Sequence, residues 1–243
     1  MKWVELIKLQ LRAKKYRTKD DIGGVDFMLG TIHKGDTVLD IGAHKGGYLY
    51  LMLKQVGKQG KVLAFEPQTV LFDYLIHMKR MMKWDNVTIE HIALSDTETE
   101  TTLFIPTNNV SKASAPGATI LNNRERDDIG FTEKVNTDSL DHYCSVYNIS
   151  PNFLKIDVEG NELNIFKGGM DTLKKNKPKI IVECDAGYVG ETQVLETFEL
   201  LKGLGYNGSF IFESQRLPLS EFSFAKYQDR NSNGFFCNNF IFE

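Results

Sequence analysis

Asp40, Gly42, Ala43, Gly46 and Gly47 lie together in DIGAHKGG, and Glu66 follows Gly46 by 20 residues in AFEP. Gly42 lets the backbone turn sharply, and Gly46 and Gly47 let a ligand approach the main chain with no Cβ in the way. Asp40 can accept a hydrogen bond from an ammonium group. A carboxylate at the position of Glu66, one strand further on, can accept both hydroxyls of a ribose. The glycines are spaced G-x-x-x-G-G, without the G-x-G pair that admits a pyrophosphate. An acid ahead of the glycines also suits a cation better than a phosphate. The pattern therefore favours a positively charged nucleoside without phosphates over a dinucleotide, and S-adenosylmethionine fits that description. The competing reading is an ordinary strand–helix turn with a surface glutamate. It explains the glycines alone, but not the acid at the ribose position.

Two further segments carry polar groups at apolar ends. In IALSD, Ala93 and Leu94 could flank an adenine, and Ser95 or Asp96 could bond its exocyclic amine. In LKIDVEG, Asp157 and Glu159 close an apolar run, and Glu183 and Asp185 close the next. Buried strand ends seldom hold two acids without a partner. Asp157 could sit near the methionine part of the cofactor. Asp157 or Glu159 could act as general base on a substrate hydroxyl. Asp157, Glu159 and Glu183 could instead hold a hard cation such as Mg²⁺; this divalent metal is an option, and no metal ligand is assigned. His44, inside the glycine loop, reads as an exposed loop residue before it reads as a base. The role of Lys155 is open.

These residues need strands to carry them and helices between. TVLDIG, KVLAFEP, VTIEHIAL, FLKIDVEG and KIIVECD read as strands. The stretches 47–57, 69–84, 161–176 and 191–205 have apolar residues at helical spacing. Strand–helix alternation implies a mainly parallel sheet with helices on both faces. Two closing strands, 208–214 and 235–243, have no helix between them, so one should run antiparallel. Residues 101–106 and 131–137 read as further strands and 139–148 as a helix. The polar stretch 108–128 reads as a long loop or lid. The organisation expected is an N-terminal helical extension over 1–30, then a single domain over 31–243 with an irregular insertion at about 107–137.

Composition narrows the classes. Charged residues are 25%, and the net charge of -3 argues against a dedicated nucleic-acid binder. No stretch approaches the ~18 apolar residues of a transmembrane helix. The N-terminal twenty residues are too charged for a signal peptide. Trp3, Ile7 and Leu11, four apart, suggest a short amphipathic helix packed on the domain surface, with membrane-surface association as the alternative. Cys144, Cys184 and Cys237 are far apart and read as reduced thiols of a cytoplasmic protein.

The motifs VLDIGAHKGGY, AFEP, ALSD, TLF, SLDHY, LKIDVEGNELNIFKGG and IIVEC, in this order over about residues 20–243, resemble FkbM-type methyltransferases. The resemblance implies a class I, Rossmann-like α/β fold with a seven-stranded sheet. It implies S-adenosylmethionine as methyl donor and O-methylation of a hydroxyl on a sugar, glycolipid or natural product. By position, Asp40, Gly42 and Gly46 would form the cofactor loop. Glu66 would bind the ribose, Ala93 and Asp96 would lie by the adenine, and Asp157 would sit near the transferred methyl. A nucleoside-binding module without turnover and a nucleotide-binding oxidoreductase are the rival classes; an RNA methyltransferase is disfavoured by charge. The acceptor and the oligomeric state are not legible.

Overall fold

A computed structural model describes residues 2–106, 117–120, 129–230 and 236–243. The loop or lid expected at 108–128 therefore lies outside the described residues except at 117–120. The chain opens with α1 (Lys2–Lys15), a π-helical turn (Tyr16–Asp20) and α2 (Ile22–Thr31). Asp21 caps α2 by accepting the Gly24 N–H at 3.1 Å and also accepts the Tyr48 hydroxyl. Then come β1 (Thr37–Ile41), α3 (Gly47–Val56), β2 (Lys61–Phe65), α4 (Thr69–Met82) and β3 (Val87–Glu90). β4 (Ala93–Ser95), β5 (Thr99–Pro106), β6 (Thr119–Ile120) and β7 (Gly130–Ser139) follow, then α5 (Leu140–Val146) and β8 (Phe153–Ile156). The remainder is α6 (Glu162–Lys167), α7 (Met170–Asn176), β9 (Lys179–Glu183), α8 (Ala186–Val189), α9 (Glu191–Gly203), β10 (Gly208–Phe212), β11 (Gln215–Pro218), a 3₁₀ turn (Leu219–Glu221), α10 (Phe224–Tyr227) and β12 (Asn239–Phe242).

The main sheet has the order β11-β10-β12-β9-β8-β1-β2-β3. β3, β2, β1, β8 and β9 are parallel, and β12 enters antiparallel between β9 and β10, although the 3₁₀ turn and the short α10 precede it where no helix was expected. The eighth strand, one more than expected, is β11, which forms an edge hairpin on β10. β1 and β2 are buried at all but their first residue, as parallel strands covered on both faces must be. Alternate residues feed two cores. Leu39, Ile41, Leu154 and Ile156 pack on one face with Ile165 of α6 and Phe198 of α9, whereas Val38 and Phe153 pack on the other with Leu49 of α3 and Met28 of α2. By the same alternation Asp40 and Lys155, cross-strand partners on β1 and β8, share the second face.

Two elements depart from expectation. VTIEHIAL is not one strand: it breaks at His91–Ile92, where His91 stacks on Phe72, and β4 joins a second sheet of order β4-β7-β5-β6. The helix expected over 161–176 is two, parted at Gly168–Gly169. A Cβ on Gly168 would stand 2.2 Å from the Ser95 carbonyl oxygen, so the backbone passes too close to β4 for a larger residue. Among the described residues no helix is long and apolar enough to cross a membrane.

Candidate functional site

The chain leaves β1 in one direction for β2 and β3, and later lays β8 and β9 on the other side. Ligands bind where the strand order reverses, beyond the carboxyl ends of the strands. A cavity with an empty volume of ≈ 960 Å³, its open mouth included, lies there. This falls within the usual range of small-molecule sites.

Its floor is the turn after β1. The Gly42 and Ala43 N–H groups donate to the Phe65 carbonyl at 3.0 and 3.1 Å, which ties the turn to the end of β2. Gly42 has φ +80°, and a Cβ on it would stand 1.9 Å from the Asp157 carbonyl oxygen, so only glycine lets the ends of β1 and β8 come this close. Glu66 is 2% exposed and is held by two main-chain donors: His44 N–H to Oε2 at 2.6 Å and Gln68 N–H to Oε1 at 3.0 Å. Each oxygen keeps a further lone pair for a ligand hydroxyl. Burial raises the Glu66 pKa to about 7 against the opposing effect of those two amides. His44 is not an exposed loop residue. It lines the cavity with φ +49°, its Nε2 is buried without a partner, and burial, with Lys45 nearby, lowers its pKa to about 4.

Gly42, Ala43, Glu66, Ala93, Asp157 and Glu159 all line the cavity. Asp40, Gly46 and Asp96 do not. Gly46 caps the start of α3 with φ +73°. Asp96 is exposed and accepts from the Ser95 and Thr97 hydroxyls. Asp40 stands behind the wall, wholly buried, and neither of its oxygens accepts a hydrogen bond of ordinary geometry. Burial raises its pKa to about 6, with the Lys155 ammonium and the Leu49 amide acting against the rise.

Lys155 resolves what the sequence left open. Its Nζ lies 3.0 Å from Asp157 Oδ2, 3.9 Å from Asp40 Oδ1 and 3.5 Å from the Gly42 carbonyl oxygen, and it stands 5.3 Å from the centre of the Tyr48 ring. Burial alone would lower its pKa, but Asp157 and Asp40 outweigh that and raise it. One internal cation thus joins the acids of β1 and β8.

Glu159 adopts φ +57°, a strained backbone for a non-glycine residue, of a kind that clusters at functional sites. Its carboxylate accepts the Gly117 N–H at 3.1 Å, and its carbonyl accepts the Thr119 hydroxyl at 2.6 Å. The described part of the insertion is thereby held over the cavity. Burial, reinforced by Asp157, raises the Glu159 pKa to about 7. Glu159 also lines a second cavity, of empty volume ≈ 830 Å³, with Glu183, Asp185, Tyr188 and Arg230. The four acids that the sequence placed at the ends of β8 and β9 are therefore divided between two adjoining cavities. Among the described residues, the one group of three metal-capable side chains with ligand atoms within 4.8 Å of one another is Glu98, Asp138 and His142, near β7, and does not include Asp157, Glu159 or Glu183.

Sequence reasoning missed Tyr16, Tyr48 and Asn161. All three line the cavity, and Asn161 donates to the Leu94 carbonyl at 3.0 Å, which fixes β4 against α6. Tyr16 arrives from the N-terminal helices, and Arg12 of α1 donates to the Lys45 carbonyl at 2.6 Å. No motif signals the contacts of Tyr16 and Arg12, because they depend on how α1 docks, whereas Tyr48 and Asn161 stand within VLDIGAHKGGY and LKIDVEGNELNIFKGG and could have been read there.

A family model described as methyltransferase FkbM domain matches residues 40–207. Among solved structures, the methyltransferase FkbM of Methylobacillus flagellatus KT superposes with a TM-score of 0.54 at 14% identity, over 98% of this chain and 58% of that one. This chain thus spans little more than half the length of that relative. A protein designated an rRNA methylase from Clostridium thermocellum superposes with a TM-score of 0.52 at 13% identity, over 92% of this chain and 94% of its own. These likenesses are ones of fold. No curated protein matches the sequence.

Proposed function

The chain belongs to the FkbM methyltransferase family, and from that premise we propose that it transfers a methyl group from S-adenosylmethionine to a hydroxyl oxygen of a small molecule or glycan. The observation that carries this reading is Glu66, held by two backbone amides at the end of β2 and facing the same cavity as the Gly42–Ala43 turn. That arrangement suits a ribose diol on a ligand that brings no phosphate. Ala93 and Leu94 offer apolar walls for an adenine, and Asp157, beside Lys155, can hold the amino-acid end of the donor.

S-adenosylmethionine, when bound, supplies a methyl already made electrophilic by its sulfonium. The rest falls to the protein. It must hold donor and acceptor in line, which can contribute several kcal/mol, and must accept one proton. Glu159 is suited to take that proton. It borders both cavities, and a pKa of about 7 is near the optimum for a base at neutral pH. Asp157 is the other candidate base. On this reading the acceptor approaches from the cavity of Glu183 and Asp185, which leaves nucleic acid an unfavoured acceptor given the acids there. Single-turnover assays on Asp157→Asn and Glu159→Gln test the assignment, and unchanged turnover in both variants would refute it. A melting-temperature rise with S-adenosylmethionine and S-adenosylhomocysteine but not with NAD would separate this reading from an oxidoreductase.

A further inference from the structure

The amphipathic pattern of α1 does not do what its spacing suggested. The helix docks on the domain through Leu9 and Ala13, buried against the core that also holds Leu49 and Met52 of α3. Trp3, Ile7 and Leu11, with Val4, point the other way and are 73%, 52%, 60% and 54% exposed respectively. Positions 3, 4, 7 and 11 recur at i, i+1, i+4 and i+8, so they form one outward apolar stripe. α1 thus has two apolar faces, and only one meets the protein.

Charge decides what the second face suits. The first twenty residues contain seven Lys and Arg against two acids, in a chain whose net charge is -3. Lys8 and Lys15 lie beside the stripe, and Lys14, Arg17 and Lys19 are exposed at and just past the C-terminal end of the helix. Lys8 pairs with Glu5, and Lys15 with Asp20. The rest are left to face solvent, apart from Arg12, which is turned to the Lys45 carbonyl, and Lys2, whose side chain is not described. An exposed Trp with aliphatic neighbours, flanked by an excess of basic residues, is the pattern of a helix lying in a lipid interface. A second copy of this chain would bring the same positive charge and be repelled. A nucleic acid would match the charge but make no use of Val4, Ile7 and Leu11.

We propose that the outward face of α1 docks the protein on an anionic membrane surface, with Trp3, Val4, Ile7 and Leu11 entering the headgroup region and the lysines facing lipid phosphates. The helix would lie along the surface, not across it. Because Arg12 and Tyr16 also reach the glycine loop and the cavity, docking would set the cavity mouth at a fixed distance from the bilayer.

The test uses the whole chain and vesicles of phosphatidylcholine with and without phosphatidylglycerol. Sedimentation with the anionic vesicles, a blue shift of tryptophan emission, and weakening by salt are expected. Trp3→Glu and Ile7→Glu should each weaken vesicle binding on the order of tenfold or more, with melting temperature and S-adenosylhomocysteine affinity unchanged, since neither side chain is buried. Equal binding to both vesicle types, or binding indifferent to these substitutions, would overturn the proposal. So would a lipid-free dimer that Ile7→Glu dissociates, because a second copy would then cover the stripe.

Discussion

Replacing Glu66 with Gln should let the empty protein gain stability relative to the parent as pH rises to 8, while weakening its hold on the cofactor. In the unfolded chain this carboxyl ionises near 4.5, and in the folded protein at about 7. A folded-state pKa above the unfolded one means that folding favours the protonated acid. The cost of ionisation is therefore absent below pH 4.5, grows between 4.5 and about 7, and is constant above. At about 1.4 kcal/mol per pH unit across that interval, it reaches on the order of 3 kcal/mol at pH 8. The side chain is 2% exposed, so solvent screening does little to reduce it. Gln matches the protonated acid in shape, but its NH2 group faces one of the two amides of His44 and Gln68, which donate to different oxygens; that loss is the same at every pH, so the pH-dependent part of the difference reports the carboxylate. Glu159 and Glu162, also raised by burial, are present in both proteins and cancel in the difference, whereas Asp40 adds to it, since its charge is one of those that raise Glu66. Urea denaturation without ligand should show Glu66→Gln gaining stability relative to the parent by up to about 3 kcal/mol between pH 4.5 and pH 8. At pH 8 its affinity for S-adenosylhomocysteine should fall about tenfold, since one charge-assisted bond to the ribose is lost or weakened. Parallel stability curves would refute the buried ionised carboxylate, and undiminished affinity would refute the ribose role.

The other predictions draw on the same geometry. Affinity of the parent for S-adenosylhomocysteine should decline as pH falls below about 7, because a protonated Glu66 accepts fewer ribose hydrogen bonds, and calorimetry on Glu66→Gln should show this dependence reduced. Lys155→Met leaves Asp40 buried without its cation and should cost about 3–5 kcal/mol in chemical denaturation; adding Asp40→Asn should recover much of that, and no recovery would mean that the two do not act as a pair. Gly42→Ala forces a Cβ to 1.9 Å from the Asp157 carbonyl oxygen; about 3 kcal/mol or more of lost stability is expected, together with loss of the cofactor-induced melting shift, and an unaltered melting curve would contradict the close packing of β1 on β8.

What could be read in the sequence was what local chemistry enforces. The turn after β1 announces itself because no side chain but hydrogen fits at Gly42, and Glu66 stands out because an acid directly after four buried residues has no place in a plain core. The parallel strands were legible as apolar runs. The break in VTIEHIAL was not, because the residues on both sides of His91–Ile92 are equally suited to strands, and only pairing of Ala93 with Thr137 sends β4 to the second sheet. The division of 161–176 into α6 and α7 depends on the distance from Gly168 to Ser95, a contact between residues 73 positions apart. Asp40 was read as a ligand for a bound ammonium. Its register opposite Lys155 on β8 supplies an internal ammonium instead, and register between strands separated by more than a hundred residues leaves no local mark. The outward turn of Trp3, Ile7 and Leu11 was hidden for a related reason: Leu6, Leu9 and Ala13 form an equally good helical face, and which one docks is decided by α3.

The acids around the cavity suit the charge changes of the proposed reaction. Asp40, Asp157, Glu66 and Glu159 surround or back the site with Lys155 as the cation among them, so the empty site has a surplus of groups that would be negative if all were ionised. Burial answers by pushing Asp40, Glu66 and Glu159 toward neutrality. A ligand carrying a sulfonium relieves that surplus, and a neutral nucleoside does not. Methyl transfer to a hydroxyl turns the sulfonium into a neutral thioether and places the released proton on a carboxylate. One positive and one negative charge vanish together, so the net charge of the buried site is the same before and after. A base with a pKa of about 7 can retain that proton while the products are bound and give it up to solvent once they leave. A base with the ordinary carboxylate value would hold it far less well. S-adenosylmethionine should therefore bind increasingly better than S-adenosylhomocysteine as pH rises from 6 to 8. A ratio of the two affinities that does not move with pH would separate the titration of these carboxyls from the charge of the donor.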